Sequence, residues 1–300
     1  MTQDQNDPLR LLEILGVAPP SRVSQVTDGW GDTQLWRVEH DDRWSILRIY
    51  PPHLRHVRDR ELATMQAITT VPTPRIEAVG EPNGLPSMLL SWCAGTTLLA
   101  ALSAAPEEAR SLGITFGRAQ ARIHANSVPS TLREQLVRDW IDWGTEGAGP
   151  IDRALRAQPV PRESILHLDY HPLNVLIEHG EITGVIDWTN ALIGDVRADF
   201  ARTYSLLSWL PLPPGLEAKR GAHARHQFRQ GWAHGYHEEA GLLPDLALYL
   251  AWAALVLVRD LSSKIGKPGF WITAGDLQRM HQVRARWSRR AGLLPEDARL

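Results

Sequence analysis

Asp169, Asn174 and Asp187 are the residues of this 300-residue chain whose types and spacing point most directly to chemistry. The first two belong to the run His167-Leu168-Asp169-Tyr170-His171-Pro172-Leu173-Asn174, and apolar, β-branched stretches at 175–177 and 182–186 lead on to Asp187. Such stretches read as two strands, and Gly180-Glu181 between them suits a two-residue type II′ turn. That turn pairs His179 with Ile182 and Asn174 with Asp187, so an amide oxygen and a carboxylate lie side by side at the open end of the hairpin. Hard oxygen donors of this kind suit Mg²⁺, which keeps several waters and takes its other ligands from phosphates. Asp169, a short loop upstream, is close enough to accept a hydrogen bond from a substrate hydroxyl. A hydroxyl-activating carboxylate beside a divalent cation is what phosphoryl transfer from a nucleotide needs. The plainer alternative is a buried polar hairpin with a capping Asp, and the number of ordered positions favours the chemical reading.

The elements that must position these groups can be read on either side. Residues 9–15 read as a short helix ended by Gly16, and 23–27, 34–39 and 44–50 as strands. Residues 55–68 have helical periodicity through Leu62, Met65 and Ile68, Pro72 and Pro74 break it, and strands follow at 75–79 and 87–91. Beyond Gly95 the pattern is mostly helical: 107–124, 133–143, 199–208, 217–240, 245–263 and 275–290, with the hairpin interrupting. Between the first two strands, Asp28-Gly29-Trp30-Gly31-Asp32-Thr33 could cover a phosphate, because glycines let backbone N–H groups approach its oxygens. Turn chemistry alone explains two glycines in a hairpin equally well.

Composition narrows the class. An apolar content of 43% and a charged content of 22% are those of a globular protein with an ample core, of one large domain or two lobes. A net charge of −2 argues against nucleic acid or an anionic membrane as the main partner. One cysteine, Cys93, rules out an intrachain disulfide framework and fits a reducing, cytoplasmic setting. The first residues are polar and acidic, unlike a signal peptide, and the longest apolar run, 247–258, is too short to span a bilayer.

Taken together, the 167–187 segment resembles the catalytic and metal-binding loops of protein-kinase-like phosphotransferases, H-R-D-x-x-x-x-N followed by a metal-binding Asp. Asp187-Trp188 in place of Asp-Phe-Gly, and the following Gly194-Asp195-Val196-Arg197-Ala198-Asp199-Phe200-Ala201, resemble the aminoglycoside phosphotransferase/choline kinase family. The resemblance implies an α+β, protein-kinase-like two-lobed fold, with a β-rich N-lobe over 1–91, a mostly helical C-lobe over 92–300 and a hinge near 91–95. It implies Asp169 as catalytic base, Asn174 and Asp187 as Mg²⁺ ligands, and a loop through Gly29, Gly31 and Thr33 over the phosphates. Arg48 stands where kinases carry a strand Lys, Glu61 where a helix Glu pairs with it, and Ser91 and Cys93 lie on the linking strand whose backbone meets the base. His124 is expected to give structural support, and Asp195 and Asp199 to cap a helix or brace the catalytic loop. Two departures stand out: Leu168 where the family usually has Gly, and Arg48 instead of Lys, which keeps the charge and adds a bidentate fork. For Arg48 and Glu61 the plainer alternative is an ordinary surface ion pair.

Weaker signals lie in the helical part. His223, His226, His234 and His237 form two i, i+3 pairs too far apart to share one ion, and no cysteine completes either set. The chain has twelve tryptophans; Trp140, Trp143, Trp232, Trp252, Trp271 and Trp287 all fall there, and some could line an acceptor pocket. Asp139, Asp142, Glu146, Glu238 and Glu239 could hold a cationic substrate or form solvated helix faces. The expectation is Mg²⁺-dependent transfer of the γ-phosphoryl group of ATP or GTP to a hydroxyl of a small molecule: an aminoglycoside, macrolide, choline-like amine, amino-alcohol or sugar. The chain is expected to act as a monomer or homodimer with no nucleic-acid or membrane partner. Two alternatives are a nucleotide-binding kinase-like scaffold without turnover and a metal-dependent hydrolase, which would need neither Arg48–Glu61 nor the glycine loop.

Overall fold

Strand alternation builds the first layer. In β3 (Arg43–Ile49), Ser45, Leu47 and Ile49 are buried on one face, and Ile46 and Arg48 point to the other. In this computed structural model, which describes residues 7–26, 32–41, 43–136, 138–147, 149–210, 218–267 and 271–294, β3 is central in an antiparallel five-stranded sheet. The strand order is β1 (Arg22–Val26), β2 (Gln34–His40), β3, β5 (Ser87–Ser91), β4 (Ile76–Gly80). Helix α1 (Pro8–Ile14), started by Asp7 accepting from Leu9 N–H at 3.1 Å and by Pro8 in the first turn, covers the outer face. Its Leu11 and Leu12 pack with Val38, Leu47, Ile49, Leu85 and Leu89. The inner face of the sheet receives α2 (Arg55–Ala67), whose buried residues include Arg58, Arg60, Glu61 and Thr64, so the helix turns a polar stripe inward.

The rest of the chain is mostly helical. After β6 (Thr96–Thr97) come α3 (Leu98–Ala104), α4 (Ala109–Ala125) and the short α5 (Ser130–Arg133), α6 (Trp140–Thr145) and α7 (Pro150–Arg156). Two small antiparallel sheets follow: β7 (Glu163–Leu166) pairs with β10 (Leu192–Asp195), and β6 pairs with β8 (Val175–Glu178), which pairs with β9 (Glu181–Val185). Helices α8 (Val196–Trp209), α9 (Ala218–Ala240), α10 (Leu246–Ser262) and α11 (Ala274–Arg290) complete it. This is the α+β, two-lobed architecture expected above. The apolar run 247–258 is the buried centre of α10, packed on Trp140, Trp143 and Leu168, and no helix among the described residues is long and apolar enough to cross a membrane.

Helices α4 and α9 meet backbone to backbone. A Cβ on Gly113 or Gly117 would stand 2.2 or 2.1 Å from the carbonyl oxygens of Phe228 and Trp232, and one on Gly231 or Gly235 would stand 2.1 or 2.3 Å from those of Arg110 and Ile114. Only glycine admits this approach. Trp232 then donates its indole N–H to Gln120 Oε1 at 2.8 Å, fixing the register of the pair.

The structure corrects three local readings. The single helix expected over 133–143 is two, because Asp139 accepts from Asp142 N–H at 2.7 Å and so starts α6 afresh. Helix α8 starts at Val196, three residues early, under Asp195, which accepts from Arg197 N–H at 2.9 Å. The hairpin turns one residue earlier than expected: His179 and Gly180 both take positive φ (51° and 83°), the pattern of a type I′ turn, which matches strand twist.

Candidate active site

The earlier turn changes the register. Glu178 pairs with Glu181 and Ile177 with Ile182, Thr183 is accommodated as a bulge, and Val175 then pairs with Val185. Asn174 therefore faces Ile186, whose N–H it accepts at 2.9 Å, and not Asp187. Asp187 comes one residue later in the left-handed region (φ 62°), which turns it off the strand. Thr189 Oγ1 and Arg48 Nη2 donate to its Oδ1 at 2.8 and 3.2 Å. Its Oδ2 accepts no hydrogen bond among the described residues, and the side chain is 38% exposed.

Arg48 and Glu61 form a buried pair, not the surface pair that was the plainer reading. Arg48 Nη1 donates to Glu61 Oε1 at 2.9 Å, and Glu61 is 1% exposed. Tyr50 Oη and Trp188 N–H also donate to that carboxylate, at 2.5 and 3.3 Å. Burial pushes the Glu61 carboxyl up, while Arg48 and these donors pull it down. For Arg48, burial works against the charge, but Glu61, Tyr50 and Asp187 outweigh it and hold the guanidinium protonated. The result is a cation aimed at Asp187 from the inner face of the sheet.

The loop carrying Asp169 is fixed from below. Leu168 has φ 61°, a conformation costing roughly 1–2 kcal/mol in an L-residue, and its side chain is fully buried against the α10 core. Its N–H donates to Asp199 Oδ1 at 2.6 Å, and its carbonyl accepts from Arg202 Nε at 3.2 Å. Asp199 in turn accepts on Oδ2 from Gln120 at 3.1 Å and pairs there with His124 Nε2 at 2.8 Å. Despite its burial, the hydrogen bond and charge of His124 hold its carboxyl below the ordinary range. So Asp199 braces the loop and Asp195 caps α8, while His124 supports them. His167 is buried below the loop, with Nε2 against Ile186 O at 3.1 Å and Nδ1 accepting from Asp169 N–H at 3.3 Å. That pairing requires the neutral ring protonated on Nε2, and burial holds its pKa below the ordinary value.

At the tip, Asn174 Nδ2 donates to Asp169 O at 3.0 Å, which leaves its Oδ1 unengaged. Burial would raise the Asp169 carboxyl, but His171 at 3.6 Å and Arg202 outweigh it and hold it well below the ordinary range. Asp169 is thus ionised at neutral pH. Asp169, Asn174, Asp187, Arg48, Glu61, Ser91 and Cys93 all line one cavity of about 1440 Å³. Thr33, half-buried ahead of β2, is not among the lining residues, and Gly29 and Gly31 lie outside the described residues. No group of three His, Cys, Asp or Glu fit to hold a metal occurs among the described residues. The free oxygens of Asn174 and Asp187 instead fit a hard cation that draws its other ligands from phosphate and water.

The sequence reading missed Arg202, His171 and Asp260. His171 was two residues past Asp169, but Arg202 and Asp260 come together only through the packing of α8 on α10, Nη2 to Oδ2 2.6 Å. Trp140, Trp232 and Trp252 are core residues, whereas Trp143 and Trp271 reach the cavity. Asp139, Asp142, Glu146, Glu238 and Glu239 are not among its lining residues: Arg156 holds Asp139 and Asp142, Arg118 holds Glu238, and Arg122 holds Glu239.

Residues 22–249 match the phosphotransferase enzyme family (APH). A search of curated proteins finds no match. Among solved structures, a thermostable variant of aminoglycoside phosphotransferase APH(4)-Ia, in ternary complex with AMP-PNP and hygromycin B, is 18% identical with a TM-score of 0.63, over 94% of this chain and 97% of that one. The amicoumacin kinase hAmiN, in complex with AMP-PNP, Ca²⁺ and Ami, is 14% identical with a TM-score of 0.61, over 98% and 97%. Spectinomycin phosphotransferase APH(9)-Ia, with ADP and spectinomycin, is 12% identical with a TM-score of 0.56, over 95% and 98%. At these identities the likeness is one of fold.

Proposed function

The chain belongs to the phosphotransferase enzyme family, and on that premise we propose that it transfers the γ-phosphoryl group of ATP or GTP to a hydroxyl of a small molecule. The observation that carries this reading is the convergence of Asp169, Asn174, Asp187 and the Arg48–Glu61 pair on one cavity. The solved relatives bind AMP-PNP or ADP together with small-molecule acceptors, which supports the same division of the site here.

Each residue then has a role set by its surroundings. Asp169, ionised and held by its loop, accepts the hydrogen bond of the acceptor hydroxyl and orients its lone pair toward the phosphorus. Its low pKa makes it a weak base, which suits a loose transition state in which the hydroxyl proton leaves late. Arg48, held by Glu61, neutralises charge on the phosphates. Asn174 Oδ1 and Asp187 Oδ2 would hold Mg²⁺, which when bound supplies charge neutralisation between the phosphate oxygens. Ser91 and Cys93 line the donor end, with residues 1–91 as the lobe covering the nucleotide and 92–300 as the lobe holding the acceptor. Positioning and preorganised charge account for most of the rate.

The test is calorimetric titration with ATP and with GTP, with and without Mg²⁺, on the wild type and on Asp187→Asn. Mg²⁺-dependent binding that weakens in the variant is expected. No binding of either nucleotide at millimolar concentration would overturn the reading.

A further inference from the structure

We infer that the acceptor is a hydroxyl compound with an apolar body and an anionic group close to the reacting hydroxyl, and that polycationic amines are excluded. The inference deepens the phosphotransfer reading and rests on it.

The wall of the cavity beyond Asp169 comes from α8, α9, α10 and the residues after α10. It is apolar through Leu206, Leu207, Phe228, Leu257 and Ile272. Its charged residues among those described are Arg202, Arg225, Arg259 and Lys264 against one carboxylate, Asp260. That carboxylate is already engaged on both oxygens: Arg202 Nη2 donates to Oδ2 at 2.6 Å, and Arg259 Nη2 to Oδ1 at 3.1 Å. An ammonium group entering this space would meet cations and, among the described residues of this wall, find no carboxylate that is not already paired, and like charges in a poorly solvated site repel strongly.

Arg202 gives the positive half of the argument. It is 4% exposed and lines the cavity. Nε is used by Leu168 O and Nη2 by Asp260, but Nη1 is buried with no hydrogen-bond partner. A buried N–H without an acceptor is costly, and a charged donor most of all. The carbonyl that Arg202 Nε holds, at 3.2 Å, belongs to Leu168, the residue before Asp169. A carboxylate or phosphate drawn to the net positive charge of the Arg202–Asp260–Arg259 group therefore sits next to the hydroxyl that Asp169 orients. Farther out, Arg225 donates Nε to Leu207 O at 2.5 Å, and neither it nor Lys264 has a carboxylate partner among the described residues.

The probes are 3-hydroxydecanoate, decane-1,3-diol and kanamycin, each titrated into the Mg²⁺·AMP-PNP-loaded protein and assayed with ATP for ADP release. The hydroxy acid should bind at least about tenfold more tightly than the diol, and kanamycin should not bind. Arg202→Gln should abolish the preference for the acid over the diol. Arg225→Gln should reduce that preference, read as the ratio of the two affinities, and it keeps the test open if Arg202→Gln fails to fold. Kanamycin or the diol binding as well as the acid, no binding of the acid at millimolar concentration, or an unchanged preference in Arg225→Gln would each overturn the inference. Failure of AMP-PNP to bind in the first place would instead overturn the phosphotransfer reading.

Discussion

In the donor half of the cavity, every charge has a partner supplied by the protein. Arg48 lies between Glu61 and Asp187, and Glu61 takes further hydrogen bonds from Tyr50 and Trp188. In the acceptor half, Arg202 and Arg259 share the single carboxylate of Asp260, and Arg225 and Lys264 have no carboxylate among the described residues. The first region is preorganised at the expense of tolerance: Glu61 is buried, and without it Arg48 keeps only the half-buried Asp187. The second leaves its charge for a ligand, so changes there should show in selectivity before they show in stability.

Four variants press on that contrast. The largest effect should come where the halves meet: Asp169→Asn is expected to lower kcat by about 10²–10⁴-fold while nucleotide affinity stays within a few-fold, read from ADP release beside calorimetry. A loss of nucleotide binding would show that Asp169 belongs to the donor half. Next, Glu61→Ala takes from Arg48 its buried partner, leaving it only the half-buried Asp187 at 3.2 Å, and should cost about 3 kcal/mol in urea unfolding, whereas Arg225→Gln should cost less than about 1 kcal/mol. Equal costs would erase the distinction between the halves.

Leu168 sharpens the comparison at the loop between them. Leu168→Ala should lose about 2–5 kcal/mol from its buried packing. Leu168→Gly, although smaller, should lose no more than the alanine variant, because glycine relieves the strain at φ 61°. A glycine variant clearly worse than alanine would mean that the strain is absent.

The smallest effect is a pH slope. The folded pKa of His167 is lowered by burial from the ordinary 6.5, so on acidification the unfolded chain takes up the proton first. Stability should be at its full value above about pH 6.5 and fall as the pH drops below it, by up to ~1.4 kcal/mol per unit. His237, also lowered by burial, adds in the same sense. His167→Gln should flatten the slope in thermal melts between pH 6.5 and 5, and an unchanged slope would assign it elsewhere.

The donor half was legible because its residues lie in ordered, local segments. The hairpin and its loop carry Asp169, Asn174 and Asp187 within nineteen residues, and the strand and helix carrying Arg48 and Glu61 follow each other directly. The errors there were of register, since Gly180 took the second central position of the turn and Thr183 bulged. Strands β7 and β10 are four-residue segments whose mates lie some 25 residues apart, and neither has a period long enough to read. The acceptor wall could not be read at all. Arg202, Arg225 and Arg259 stand on three different helices, and each looks alone like an ordinary surface cation.

The glycine contacts between α4 and α9 also bear on how such an enzyme can diversify. α4 carries Gln120 and His124, which hold Asp199 and through it the loop of Asp169, while α9 carries Arg225 and Phe228 to the cavity wall. With carbonyl oxygens seated against four glycines, α9 has no room to slide or roll on α4. A lineage descending from this chain can acquire a new acceptor by exchanging side chains along the cavity face of α9, and the distance from those side chains to Asp169 would be inherited unchanged.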